Sequence, residues 1–241
     1  MLHSGGMQVE SAVLFETPEQ IYLRVFRRLR PRSPLPEVCI EFCRFANADS
    51  YVRIEERRLS VRMADVLAGA PAPVMEALAN ILLSKLFRKP VPKACHHRYR
   101  LYLNRKDVRR HLHLVRQIRG RKFLSGPQGE HHNLVDVFEE LNRRHFHGLM
   151  ARPELSWSRG ASRSVLGHYD PSHNAIIISR LLDRAGVPRL ALEYVVFHEM
   201  LHLRFPAEHG GSKRRLHTRE FREAEKTFPE LKAAKQILKA L

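Results

Sequence analysis

The run His198-Glu199-Met200-Leu201-His202 constrains this chain more than any other feature. On a helix, residues four apart share a face, so His198 and His202 can aim both imidazoles at one metal ion. Glu199 then falls where a carboxylate can reach a water at that metal. A catalytic zinc takes three protein ligands and keeps a fourth position open, so a third ligand has to come from elsewhere in the chain. The residues before the motif predict a buried helix. Leu190, Leu192, Val195, Val196 and Phe197 put apolar groups on most of its sides, Pro188 suits a first turn, and Pro206 stands just past the end.

The third ligand is sought downstream. The metzincin pattern needs a glycine three residues after the second histidine and a ligand six after it. Phe205 and Glu208 occupy those positions, which excludes it. His209, beside Gly210-Gly211-Ser212, reads as a loop histidine. His217, where the next helix begins, leads the candidates, and Glu220 and Glu223 on that helix are carboxylate alternatives.

HEMLH, a basic loop and then His217-Thr218-Arg219-Glu220-Phe221 resemble the SprT-like metalloprotease domain. Upstream, Leu134–Phe146 resembles that family's first helix, 153–158 with its Trp157 the first strand, and 174–182 the strand that leads to the next element. The resemblance spans residues 131–229, and Thr218 departs from it by standing where a glycine is usual. It implies an α+β, zincin-like domain of helices packed on a small mixed or antiparallel sheet, with HExxH on the active-site helix. It implies zinc on His198, His202 and His217, with Glu199 as the general base of peptide hydrolysis on proteins held on DNA. It also implies that the strand at 174–179 lies along the active-site cleft and pairs with extended substrate, with His168 or Tyr169 near enough to help an oxyanion. No cysteine follows Cys95, so the family's C-terminal four-cysteine zinc ribbon is not expected. The stretch 229–241 reads instead as a basic amphipathic packing helix.

Charge points to a partner. Residues 85–122 hold 14 Lys and Arg against one acid, Asp107, which is +13 of the whole chain's +17. Such a block is an electrostatic footprint for polyanions. Arg98, Arg100, Arg105, Lys106, Arg109, Arg110, Arg116, Arg119, Arg121 and Lys122 are the candidate phosphate contacts, with Tyr99 or Tyr102 placed to stack on bases. The alternatives for the block are a solvated helix face with a charged linker, and an anionic membrane or a polyanionic protein as the partner. Three cysteines without regular spacing argue for reduced thiols. No apolar run is long enough to cross a membrane, and the first residues lack a signal-peptide pattern, so a cytoplasmic protein is expected. Nothing in the sequence specifies an oligomeric state.

The chain reads as an α+β N-terminal region, 1–125, and a catalytic domain, 131–241, joined by a linker at 125–130. The N-terminal region repeats a helix–strand–strand–helix order, which reads either as a degenerate copy of the catalytic domain, with Asn80, Ile81 and Ser84 standing for His198, Glu199 and His202, or as an order that recurs by chance in α+β proteins. His131, His132, His145 and His147 read as surface residues. Two other functions fit the same residues: a nucleic-acid-binding protein with a structural or vestigial zinc site, and a zinc hydrolase of a non-peptide substrate. A purely structural site has no use for Glu199.

Overall fold

Thr17 starts the first helix with a capping box. Its hydroxyl accepts from the Gln20 N–H (3.3 Å) while the Gln20 side chain accepts from the Thr17 N–H (2.8 Å). The computed structural model describes residues 16–120 and 124–241. They fall into two compact units, one ending at Tyr102 and one running from Leu103 to Leu241.

The first unit comprises α1 (Pro18–Leu29), β1 (Glu37–Cys43), β2 (Ser50–Glu55), β3 (Arg58–Ala64), a 3-10 turn (Asp65–Leu67), α2 (Ala72–Leu86) and α3 (Lys93–Leu103). The sheet order is β1-β3-β2, with β1 parallel and β2 antiparallel to β3. Leu59, Val61 and Met63 alternate along β3 and are fully buried, and Ile21, Tyr22, Val25 and Phe26 of α1 and Met75, Leu78 and Leu83 of α2 are buried too. The strand β2 was not foreseen from sequence.

The second unit contains α4 (Lys106–Arg119), α5 (Leu134–Phe146), β4 (Glu154–Trp157), β5 (Gly167–Asp170), β6 (Ala175–Ile178), a 3-10 turn (Arg180–Leu182), α6 (Arg189–Arg204), β7 (Glu208–Gly210), β8 (Lys213–Arg215), α7 (Arg219–Glu225) and α8 (Leu231–Ala240). Its sheet order is β4-β6-β5, with β4 parallel and β5 antiparallel to β6. Phe138 and Leu141 of α5, Trp157, Ile176, Ile178, and Leu192, Val196 and Phe197 of α6 form one core, which Phe221 and Phe228 extend to α7 and α8. The fold is α+β, compatible with a zincin-type domain.

The chain order and sheet topology of 18–86 thus recur in 134–204. Pairing Pro71 with Pro188, the residue before each helix, brings the buried positions into register: Val74, Met75, Ala77–Asn80 and Leu82–Ser84 fall on Ala191, Leu192, Tyr194–Phe197 and Glu199–Leu201. Ile81, Leu82 and Lys85 then stand for His198, Glu199 and His202. That differs by one residue from the pairing drawn from sequence alone, because burial rather than residue type sets the register.

The stretch 125–130 is bound into the second unit. The Gly126 and Pro127 carbonyls accept from the Trp157 N–H (3.1 Å) and indole (2.9 Å). The Asp183 carboxylate accepts the N–H groups of Glu130, His131 and His132 at 2.6, 3.0 and 3.0 Å. A Cβ on Gly129 would come within 2.3 Å of that carboxylate and displace it from its three N–H partners. The basic segment is split: α3 closes the first unit and α4 belongs to the second.

Candidate metal centre

The helix α6 carries the motif through the core. Phe197, Met200 and Leu201 are buried against α5, the sheet and α8, while His198 and His202, a turn apart, face the opposite side. After the β7–β8 hairpin, Thr218 caps α7 by accepting from the Phe221 N–H (3.2 Å). That hydroxyl role accounts for a threonine at this position. It also fixes His217, the residue before the cap. Phe221, 1% exposed, lies 4.7–5.1 Å from all three imidazoles and forms the floor beneath them.

The three rings form a nearly equilateral triangle. Ring centroids of His198, His202 and His217 are 5.1, 5.0 and 5.1 Å apart, and one nitrogen from each lies within 4.8 Å of the others. A tetrahedral zinc with nitrogens at about 2.0–2.1 Å needs only a modest closing of that triangle. It is the one such group of three or more His, Cys, Asp and Glu among the described residues. Glu220 and Glu223 are outside it: Glu223 pairs with Lys226 (2.9 Å), and Glu220 is exposed in the first turn of α7. His209 lines the cleft but is not in the group.

The electrostatics suit neutral ligands and a base. Burial pushes His202 down to about 4, helped by the neighbouring histidines and Arg214, so it presents a free lone pair at neutral pH. Burial also lowers His198. Glu199 is 5% exposed, and burial pushes its carboxyl up to about 7, against a hydrogen bond from the Tyr169 N–H that pulls it down. Gly167 permits this approach: a Cβ there would meet Val195 at 2.8 Å and the Glu199 carboxylate at 2.9 Å. Thus β5 lies against α6 at the motif.

A cleft of about 650 Å³ opens over the group, lined by Gly167, His168, Tyr169 and Pro171 on one side and His209, Arg214 and Leu216 on the other. This corrects the strand expected along it. The strand β6 is central in its sheet, with all four residues buried, and has no free edge. The edge strand β5, read from sequence only as the residues preceding that strand, forms the wall.

Residues 134–236 match the model of the SprT-like family. This segment is a SprT-like domain. Neither the curated proteins nor the solved structures contain a match to the chain. The SprT-like match supports a metallopeptidase type of activity, and the histidine triangle gives the domain a place for a metal ion.

Sequence reasoning missed Glu225. Its Oε1 lies 2.8 Å from His198 Nδ1. Helical spacing held the signal, because Glu225 is four residues after Phe221 and shares the face that Phe221 turns to the histidines, whereas Glu220 and Glu223 do not. His145 was read as a surface residue; the structure packs its ring against Phe197 and Phe228 at 4.9 and 6.0 Å.

The candidate phosphate contacts are not gathered on one element. Arg98 and Arg100 are on α3; Arg105 precedes α4 and pairs with Asp107 (3.1 Å); Lys106, Arg109, Arg110, Arg116 and Arg119 are on α4. Arg121 and Lys122 lie outside the described residues. The α4 region is tied to both sides of the cleft. The Asn104 amide donates to the Gly211 carbonyl in the β7–β8 turn (2.9 Å), and His113 Nδ1 lies 3.3 Å from Ser172 Oγ in the β5–β6 turn. Among the described residues, no helix is long and apolar enough to cross a membrane.

Proposed function

We propose that the SprT-like domain is a zinc metallopeptidase, with His198, His202 and His217 as the zinc ligands and Glu199 as the general base, acting on proteins associated with nucleic acid. The observation that carries the reading is a buried carboxyl beside an equilateral triangle of imidazoles. Zinc held there would supply a Lewis acid and lower the pKa of a water towards neutrality. The chain's own groups do the rest. Glu199 Oε, buried beside the histidines, takes a proton and passes it to the leaving amine. The Tyr169 N–H holds that carboxylate in place. The outer edge of β5, which lines the cleft, offers backbone groups to which an extended peptide can add as a strand.

The polyanion reading rests on α4, joined through the preceding Asn104 and through His113 to the turns beside the two cleft walls, so that nucleic acid bound there would hold a protein substrate beside the metal centre. Three free cysteines suit a reducing, cytoplasmic setting. We read the first unit as a degenerate copy of the SprT-like fold, on the recurrence of its topology; with Ile81, Leu82 and Lys85 in place of the motif, it carries no ligands or base.

The test is incubation of zinc-loaded wild type and Glu199→Gln with a DNA-bound protein, with and without single-stranded DNA. Cleavage by the wild type alone, increased by DNA, supports the reading. Absence of cleavage with zinc bound refutes the peptidase.

A further inference from the structure

We infer that Glu225 is a positioning residue for the metal centre, and that the C-terminal helix α8 reaches the metal ligands through it. The inference rests on His198 being a metal ligand.

An imidazole can offer either ring nitrogen to a metal, and the bond made by the other nitrogen decides which. The Glu225 Oε1 atom lies 2.8 Å from His198 Nδ1. A carboxylate there accepts a hydrogen bond from Nδ1–H, keeps the proton on that nitrogen, leaves Nε2 bare, and fixes the ring plane. Two aromatic rings also pack on it: Phe221 at 5.1 Å and Tyr194 at 6.2 Å between centroids, both steeply inclined to the imidazole. His198 therefore has one tautomer and one orientation before any metal arrives.

The carboxylate has its own supports. The Tyr194 hydroxyl donates to the same Oε1 atom (2.9 Å), and Lys235 Nζ donates to Oε2 (3.2 Å). Lys235 also stands over the Tyr194 ring at 5.5 Å. It belongs to α8, which buries Ala234 and packs Leu231, Ile237 and Leu238 against the core. The basic tail thus serves as more than a cover: its lysine sets the plane in which Glu225 meets His198.

Carboxylates and carbonyls in this place change metal affinity by about 10–100-fold when removed. The experiment measures zinc affinity of the full-length protein by competition with a chromophoric chelator, alongside the His198 ring nitrogen shifts in the metal-free protein. For Glu225→Ala we expect about 10–100-fold weaker zinc and a mixed Nδ1/Nε2 tautomer; Glu225→Gln, which keeps an acceptor oxygen, retains the tautomer and loses less. Lys235→Met weakens zinc a few-fold in the wild type and has no effect in the Glu225→Ala background. Unaltered zinc affinity and tautomer in a folded Glu225→Ala protein overturn the inference. An equal effect of Lys235→Met in both backgrounds overturns the link to α8. These outcomes are independent of proteolysis: zinc binding that depends on Glu225 in a protein that cleaves nothing refutes the peptidase and leaves the inference standing.

Discussion

The general base can be weighed without any substrate, in the metal-free protein. Glu199 is 5% exposed and its carboxyl is pushed from an ordinary 4.5 up to about 7, chiefly by burial. Unfolded, the same carboxyl releases its proton near 4.5. Between those values the folded state holds a proton that the unfolded state has lost, so stability falls as pH rises and levels off above about 7. A displacement of that size amounts to about 3 kcal/mol in full. Glu199→Gln removes the charge and keeps an oxygen to accept from the Tyr169 N–H. In chelator, the variant should match the wild type near pH 4 and exceed it by up to about 3 kcal/mol at pH 8, or roughly 10 °C in melting temperature.

Urea unfolding of both proteins at several pH values is the assay. His198 and His202, both lowered by burial, add stability as pH rises through the acid range, but they do so in both proteins and drop out of the difference. Zinc should erase the variant's advantage, because a cation beside the carboxylate favours the ionised form. A difference that stays flat from pH 4 to pH 8 would refute the argument, since it would mean that Glu199 is solvated like an ordinary surface carboxyl.

The remaining outcomes concern the site and its surroundings. With zinc bound, Glu199→Gln should lose about 10²–10⁴-fold in kcat at unchanged zinc content, measured on any peptide substrate found. His217→Ala should lose the metal in a chelator competition, whereas Glu220→Ala and Glu223→Ala should keep it; the reverse pattern would reassign the third ligand. Gly167→Ala forces a Cβ into Val195 and Glu199, and should cost about 1–3 kcal/mol in unfolding along with activity. Replacing Lys106, Arg110 and Arg116 together by alanine should weaken DNA binding uniformly across sequences and flatten its salt dependence by up to about three in slope, read by titration at several salt concentrations.

The helix α6 was legible because several independent signals coincide on it: an apolar run at helical period, prolines at both ends, and ligands four apart. The second-unit elements α5, β4 and β6 were legible for the same reason, since their apolar residues face one core. The failures have a common physical origin. The strand β5 reads Gly-His-Tyr-Asp and has no apolar alternation, because one face is set by a close approach to Glu199 and its outer edge is open to the cleft. Gly126, Pro127 and Gly129 punctuate a linker and a tightly bonded loop in the same way; only Asp183, more than fifty residues away, decides between them.

Glu225 belongs to a third kind. Its periodicity relative to Phe221 was present in the sequence, but the motif drew attention to carboxylates as metal ligands rather than as partners of a ligand's second nitrogen. A buried imidazole on a metal needs a group for that nitrogen as surely as it needs the metal. Any chain read as carrying His198 and His202 as ligands should therefore be searched for an acceptor at helical spacing from each neighbouring element. The Glu225 carboxylate lies four residues beyond the aromatic floor, on the last turn of α7, where that search ends.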